Sequence, residues 1–138
     1  MNMKRKSALS GICVCLLLLL CSCTYRSDKK ISEEEINARK AEFEKYLAET
    51  YPDETFTVEI WQEYGHKTGA AGLPDYEGYM LRQVVTDSKG NRFKIGILSK
   101  GKYSDDYQKV LDGMIHYNEK GQQVFYDENG EIMSVVEW

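Results

Sequence analysis

Two hydrophobic periods alternate along the chain after position 30. Ile36, Phe43, Tyr46, Leu47 and Tyr51 recur at helical spacing, and Ile31-Ser32-Glu33-Glu34-Glu35-Ile36 supplies the start signals of that helix. Ser32 can cap, Glu35 holds the capping-box position, Ile31 can staple onto Ile36, and three glutamates suit the positive end of the helix dipole. Arg39 is placed to pair with Glu35 one turn away, and Pro52 ends the helix. From Thr55 to Tyr64 the period falls to two, with Phe56, Val58 and Ile60 on one face and Thr57, Glu59 and Trp61 on the other. Tyr79 to Thr86 and Arg92 to Ser99 repeat this strand pattern around Asp87-Ser88-Lys89-Gly90-Asn91, the chemistry of a type I turn closed by a left-handed glycine. The same turn grammar returns twice in HYNEKGQQV (His116 to Val124) and FYDENGEIM (Phe125 to Met133), predicting a meander that ends on Ile132, Val135, Val136 and Trp138. Between them, GKYSDDYQKVLDG predicts a short second helix with Ser104 as cap, Asp105 and Asp106 in its first turn, and Gly113 as its stop. The fold class expected is α+β: an N-terminal helix packed on a small antiparallel sheet of about 4–6 strands, with a short second helix.

The first 23 residues follow different rules. Lys4, Arg5 and Lys6 precede an apolar or small stretch from Ala8 to Leu20, the layout of a secretory signal. Its strictly apolar part, Ile12 to Cys21, is about half of the roughly 20 residues that a spanning helix needs. Leu20-Cys21-Ser22-Cys23 then matches the lipobox of bacterial lipoproteins, with leucine at minus three and a small residue before the cysteine. That resemblance implies cleavage after Ser22 and a diacylglyceryl thioether on Cys23, so residues 1–22 form the signal peptide and 23–30 the lipidated cysteine and its tether. Two or three acyl chains on one residue hold a protein to a bilayer firmly where one does not. Thr24 to Lys30 is short and polar and reaches at most about 25 Å, keeping a single domain of residues 31–138 near the membrane.

Processing changes two quantities. All four cysteines lie at or before position 23, so the mature chain carries no disulfide, thiolate nucleophile or cysteine metal site. Lys plus Arg falls from 18 to 15 against 22 Asp plus Glu, a net charge of −7, which argues against nucleic acid and against lying on anionic lipid.

Motifs that would carry chemistry fail on spacing. GHKTGAAG (Gly65 to Gly72) follows a strand, but a phosphate loop requires glycine where His66 and Trp61 stand. Residues Gly65 to Gly78 read instead as a long connection between strands, either a binding loop or a tolerated insertion. Counting from Asp127, glycine falls at position four and Trp138 at twelve, out of register for a calcium loop. His66 and His116 have no local nucleophile and no ligand at i+4. No catalytic residue, cofactor or metal is expected.

The remaining unusual feature is aromatic, with ten tyrosines and two tryptophans. Trp61, Tyr64, Tyr76 and Tyr79, near Tyr103 and Tyr107, are the candidate partner-binding residues, because aromatic side chains bury large areas and keep a polar tip. A covering helix or strand over Trp61 is the competing explanation.

LCSC, EKYLAETYPDETFTVE and GKYSDDY resemble small lipoproteins of Gram-positive bacteria, Firmicutes-type above all, and the helix-then-sheet order resembles cystatin-like or PepSY-like domains. The resemblance implies an extracytoplasmic, lipid-anchored protein whose role is protein binding or accessory at the cell envelope. Its expected partners are the bilayer, through Cys23, and an envelope protein. An envelope-acting hydrolase and a structural subunit of an export or conjugation complex stay open as alternatives.

Overall fold

The computed structural model describes residues 25–71 and 73–136; the expected signal segment, Cys23 and Trp138 lie outside the described residues. Within them the chain is mixed α+β. Its elements are β1 (Tyr25–Ser27), α1 (Glu33–Thr50), β2 (Phe56–Lys67), β3 (Tyr76–Asp87), β4 (Arg92–Phe93), β5 (Ile95–Ser99), β6 (Lys102–Asp105), α2 (Tyr107–Leu111), β7 (His116–Tyr117), β8 (Gln123–Tyr126) and β9 (Ile132–Val136). Contacts gather them into two units: one joins the residues up to Lys29 with Tyr64–Tyr79, and the other holds Lys30–Glu63 and Met80 onward. Strands β2 and β3 contribute to both.

In the larger unit, α1 begins and ends where its sequence predicts. The Ser32 side chain accepts the Glu35 amide at 3.2 Å, and Tyr51 before Pro52 is the C-cap. Arg39 does not turn back to Glu35; it pairs forward with Glu42 at 3.1 Å, where the Tyr103 hydroxyl also donates. Gln62 reads both backbone groups of Ile31, accepting its N–H at 2.9 Å and donating to its carbonyl at 3.1 Å, which fixes the entry to the helix. Phe43 and Leu47 join Val58, Val85, Phe93, Ile95 and Tyr107 in one buried cluster, with Tyr46, Tyr51, Phe56 and Ile60 against its rim.

The strand expected over Arg92 to Ser99 is two strands. Strand β4 pairs antiparallel with β3, whereas β5 pairs with β6. The break falls at Lys94, and Gln83 covers it: its side-chain oxygen accepts the Ile95 N–H at 3.1 Å and its amide donates to the Ile95 carbonyl. A side chain thereby completes the hydrogen bonding of a backbone that has left its neighbour. Ser104 is likewise in β6, not a helix cap; α2 starts later, with Asp105 accepting the Tyr107 amide at 2.9 Å. Gly113 closes α2 in the left-handed region at φ 71°. The described strands number nine, against the four to six expected, because short ladders at β4 to β9 replace longer ones.

Three turns share one geometry. Asp87, Asn118 and Asp127 each accept the amides two and four residues on through one side-chain oxygen, at 2.8 to 3.0 Å. The residue three further on is Gly90, Gly121 or Gly130, with φ of 88°, 67° and 79°. These loops join β3 to β4, β7 to β8 and β8 to β9, so the repeat read in the sequence is a repeated hairpin closure.

In the smaller unit, Tyr25–Ser27 forms a strand within the stretch expected to be a tether. It pairs in parallel with β3 in the register Tyr25↔Tyr76, Arg26↔Glu77 and Ser27↔Gly78, so the pairing is not purely antiparallel. The connection expected over Gly65 to Gly78 is also shorter. Strand β2 runs to Lys67 and β3 starts at Tyr76, with Asp75 closing the gap by accepting the Gly69 amide at 2.8 Å and pairing with His66 at 3.3 Å.

Candidate functional site

The smaller unit gathers four tyrosines and sorts them onto two faces. Side chains alternate along a strand, so Tyr76 and Gly78 share one face of β3 while Glu77 and Tyr79 share the other. On the first face the Tyr25 ring stacks on Tyr76, centroids 5.8 Å apart. Tyr76 lies along the strand over Gly78 and its hydroxyl donates to the Tyr79 carbonyl at 3.2 Å. Glycine is required beneath it: a Cβ at position 78 would come within 2.6 Å of the Tyr76 hydroxyl and of the Ser27 carbonyl oxygen.

On the second face Tyr64 and Tyr79 meet edge to face at 5.3 Å. The Tyr64 hydroxyl is 3.2 Å from both Asp28 and Glu77, so its single proton can serve either carboxylate. Loss of hydration leads in raising the pKa of this phenol; Arg26 opposes it, and Glu77 and Asp28 reinforce it. Arg26 itself reaches Asp28 at 3.3 Å. The face therefore sets an edge-to-face aromatic pair beside two carboxylates, one of them already paired with Arg26, and it is the carboxylates that suit a cationic or amide-bearing side chain. With Tyr64 39% exposed, that surface is open to a partner.

Of the four candidates named from sequence, Tyr64, Tyr76 and Tyr79 are brought together. Trp61 is half-buried in the part of β2 that belongs to the larger unit. Tyr103 and Tyr107, read with them from the sequence, belong to the larger unit: Tyr103 meets Phe43 edge to face at 5.7 Å, and Tyr107 is 6% exposed. The residues that sequence reasoning missed are Tyr25, Asp28 and Glu77. The parallel pairing of β1, a non-local contact, draws in Tyr25 and Asp28, and no local pattern in TYRSD signals it; Glu77 stands on β3 between Tyr76 and Tyr79 and meets Tyr64 of β2.

The two histidines serve separate local contacts, His66 with Asp75 and His116 edge-on to Tyr126 at 5.1 Å. Among the described residues no group of three or more His, Cys, Asp or Glu could hold a metal ion, and no helix is long and apolar enough to cross a membrane. Comparison with family models, curated proteins and solved structures finds no match for this chain.

Proposed function

We propose that this chain is an extracytoplasmic lipoprotein, anchored through a diacylglyceryl group on Cys23, that binds a neighbouring envelope protein. The reading takes α1 as the cover of an antiparallel sheet in a domain of the helix-then-sheet kind, and keeps the resemblance to small Firmicutes-type lipoproteins. The observation that carries it is the position of the tyrosine faces directly after the lipobox: β1 begins two residues beyond Cys23. A binding surface so near an anchor is held at the membrane, where the effective concentration of membrane-bound partners is high. Tyr64 and Tyr79 with Glu77 and Asp28 favour a partner surface that presents lysine or arginine.

The experiment compares intact mass and membrane fractionation of wild type and Cys23→Ala, followed by gentle crosslinking of the membrane-bound form. A lipid-sized increment that vanishes in the variant, with crosslinks that vanish on Tyr64→Ala plus Tyr79→Ala, supports the reading. An unlipidated, freely soluble protein refutes the anchor. Hydrolytic turnover that survives those tyrosine changes and is lost with His66→Ala or His116→Ala would favour the envelope hydrolase instead.

A further inference from the structure

The loop between β2 and β3 stands at the end of the smaller unit from which the N-terminus enters. In a parallel pair both chains run the same way, so the residues before Tyr25 approach from the side of the residues before Tyr76. The Tyr25 amide marks this by donating to the Asp75 carbonyl at 2.7 Å. Cys23 is two residues further back, a span of at most about 7 Å. On the lipoprotein reading the anchor is therefore tethered at the end of this unit where Ala70, Ala71, Leu73 and Pro74 stand.

That loop is built without charge. Ala70, Ala71, Leu73 and Pro74 are exposed, Leu73 by 67%, and the Leu73 amide donates to the Ala70 carbonyl at 2.8 Å in a turn that presents the leucine outward. Asp75 holds the base of the loop through Gly69 and His66. Tyr25, 62% exposed, offers an amphipathic ring on the same end. Among the described residues of this unit Arg26, Lys29 and Lys67 balance Asp28, Asp75 and Glu77, so it is neutral with His66 uncharged, in a chain whose mature charge is −7. A neutral unit need not repel a phospholipid surface, and on the lipoprotein reading this is the unit that carries the anchor.

We infer that Ala70, Ala71, Leu73 and Pro74 dip into the headgroup and upper acyl region of the bilayer that holds Cys23, with the Tyr25 ring at headgroup level. This rests on the lipoprotein reading. The tip acts as a second, non-covalent contact that fixes the orientation of the unit on the membrane and leaves the Tyr64 and Tyr79 face turned to partners.

The test uses the full chain, processed by its own signal and reconstituted in phosphatidylcholine vesicles. No natural cysteine lies beyond position 23, so Leu73→Cys carries one environment-sensitive fluorophore, and exposed Leu111→Cys is the control. A shallow lipid-attached quencher should quench a blue-shifted label at 73 and leave the label at 111 untouched. With the label moved to Ala70→Cys, Leu73→Glu should raise the water-exposed population about tenfold, the scale of withdrawing a leucine from an apolar phase. Mass is read on the same sample. A lipid increment with a label at 73 that stays in water overturns the inference and leaves the anchor standing. A blue shift that the lipid quencher does not reach means the tip contacts protein, and also overturns it. Absence of the increment overturns the lipoprotein reading and the inference together.

Discussion

Tyr107→Phe isolates one hydroxyl in the core of the larger unit. The ring is held by Phe93 at 4.7 Å, Tyr51 at 5.2 Å and Phe56 at 5.3 Å, contacts that phenylalanine keeps. What is lost is the 2.9 Å bond from the hydroxyl to Asp87, a carboxylate only 6% exposed. A hydrogen bond to a charged group contributes about 1.5–3 kcal/mol, and Asp87 keeps the amides of Lys89 and Asn91 and the Asn91 side chain, so a loss of about 2 kcal/mol is expected near neutral pH. The pH dependence is the sharper test. Burial works to raise the Asp87 pKa, but its hydrogen bonds from Asn91, Tyr107 and Lys89 win and hold it below 3.8. A depressed carboxylate contributes stability above its unfolded pKa that is lost as pH falls through the folded one, so the gap between wild type and variant should close in acid. Burial, then the bond to Asp87, pushes Tyr107 from 10.0 up to about 12. Stability from a raised group is complete below the unfolded value and lost as pH rises through the folded one, so the gap should close again between pH 10 and 12. Urea unfolding across pH 3 to 12, followed by fluorescence of half-buried Trp61, reads this plateau. A difference under about 0.5 kcal/mol at pH 7, or one that does not change with pH, would refute the assignment of the Tyr107–Asp87 bond as a charged one.

Four other substitutions test the packing. Asp105→Asn weakens one acceptor shared by the Tyr46 hydroxyl at 2.5 Å, the Tyr51 hydroxyl at 3.0 Å and the Tyr107 amide at 2.9 Å, and should lower the urea midpoint by the equivalent of about 2–3 kcal/mol. Gly121→Ala should cost clearly more than Gly130→Ala in thermal unfolding: both need the left-handed region, a strain of about 1–2 kcal/mol, but only at 121 would the new Cβ collide with the Gln83 carbonyl. Equal costs would mean that the β7–β8 turn does not sit against β3. Gly78→Ala should free β1 without unfolding the larger unit, raising hydrogen exchange at Tyr25 and speeding tryptic cleavage after Arg26.

What was legible in the sequence was local. Ser32 and Pro52 bracket α1 because a cap and a ring that cannot continue a helix act within one turn. The three glycine turns were legible because an Asx side chain and a glycine three residues later are enough to close the loop. Elements that depend on distant partners were not. Tyr25–Ser27 has no hydrophobic alternation of its own and is a strand only because β3 offers an edge. Lys94 interrupts a smooth run, RFKIGILS, since Gln83 can stand in for a backbone partner. The glycines from Gly65 to Gly78 suggested a long loop, yet Gly65 and Gly78 lie within strands, and Gly78 is there to admit the Tyr76 ring.

The number of tyrosines, which first pointed to a binding surface, divides once hydroxyl partners are considered. Tyr46 and Tyr51 donate to Asp105, Tyr107 to Asp87, Tyr117 to Asp106 and Tyr103 to Glu42, all within the larger unit. Within the larger unit five tyrosines thus bind carboxylates where a chain with no cysteine beyond position 23 has no disulfide to tie strand to helix. Desolvation and the carboxylate partner both push these phenols upward, to about 12 for Tyr51, so they stay protonated donors at every physiological pH. Their abundance is a device of stability, and aromatic content alone says nothing of partners. Tyr25, Tyr64, Tyr76 and Tyr79 differ in kind. Their rings pair with one another, Tyr64 touches its carboxylates from an exposed position, and Tyr25 is mostly open to solvent. Protein stability gains little from ordering such exposed rings, since a charged contact at the surface contributes about 0–1 kcal/mol. The larger unit also exposes aromatic rings, Phe125 by 40% and Tyr126 by 46%, so exposure alone does not set the smaller unit apart. What does is that its four tyrosines pair ring to ring over a required glycine, Tyr64 and Tyr79 beside carboxylates, and it is on that grouping that the proposed partner surface rests.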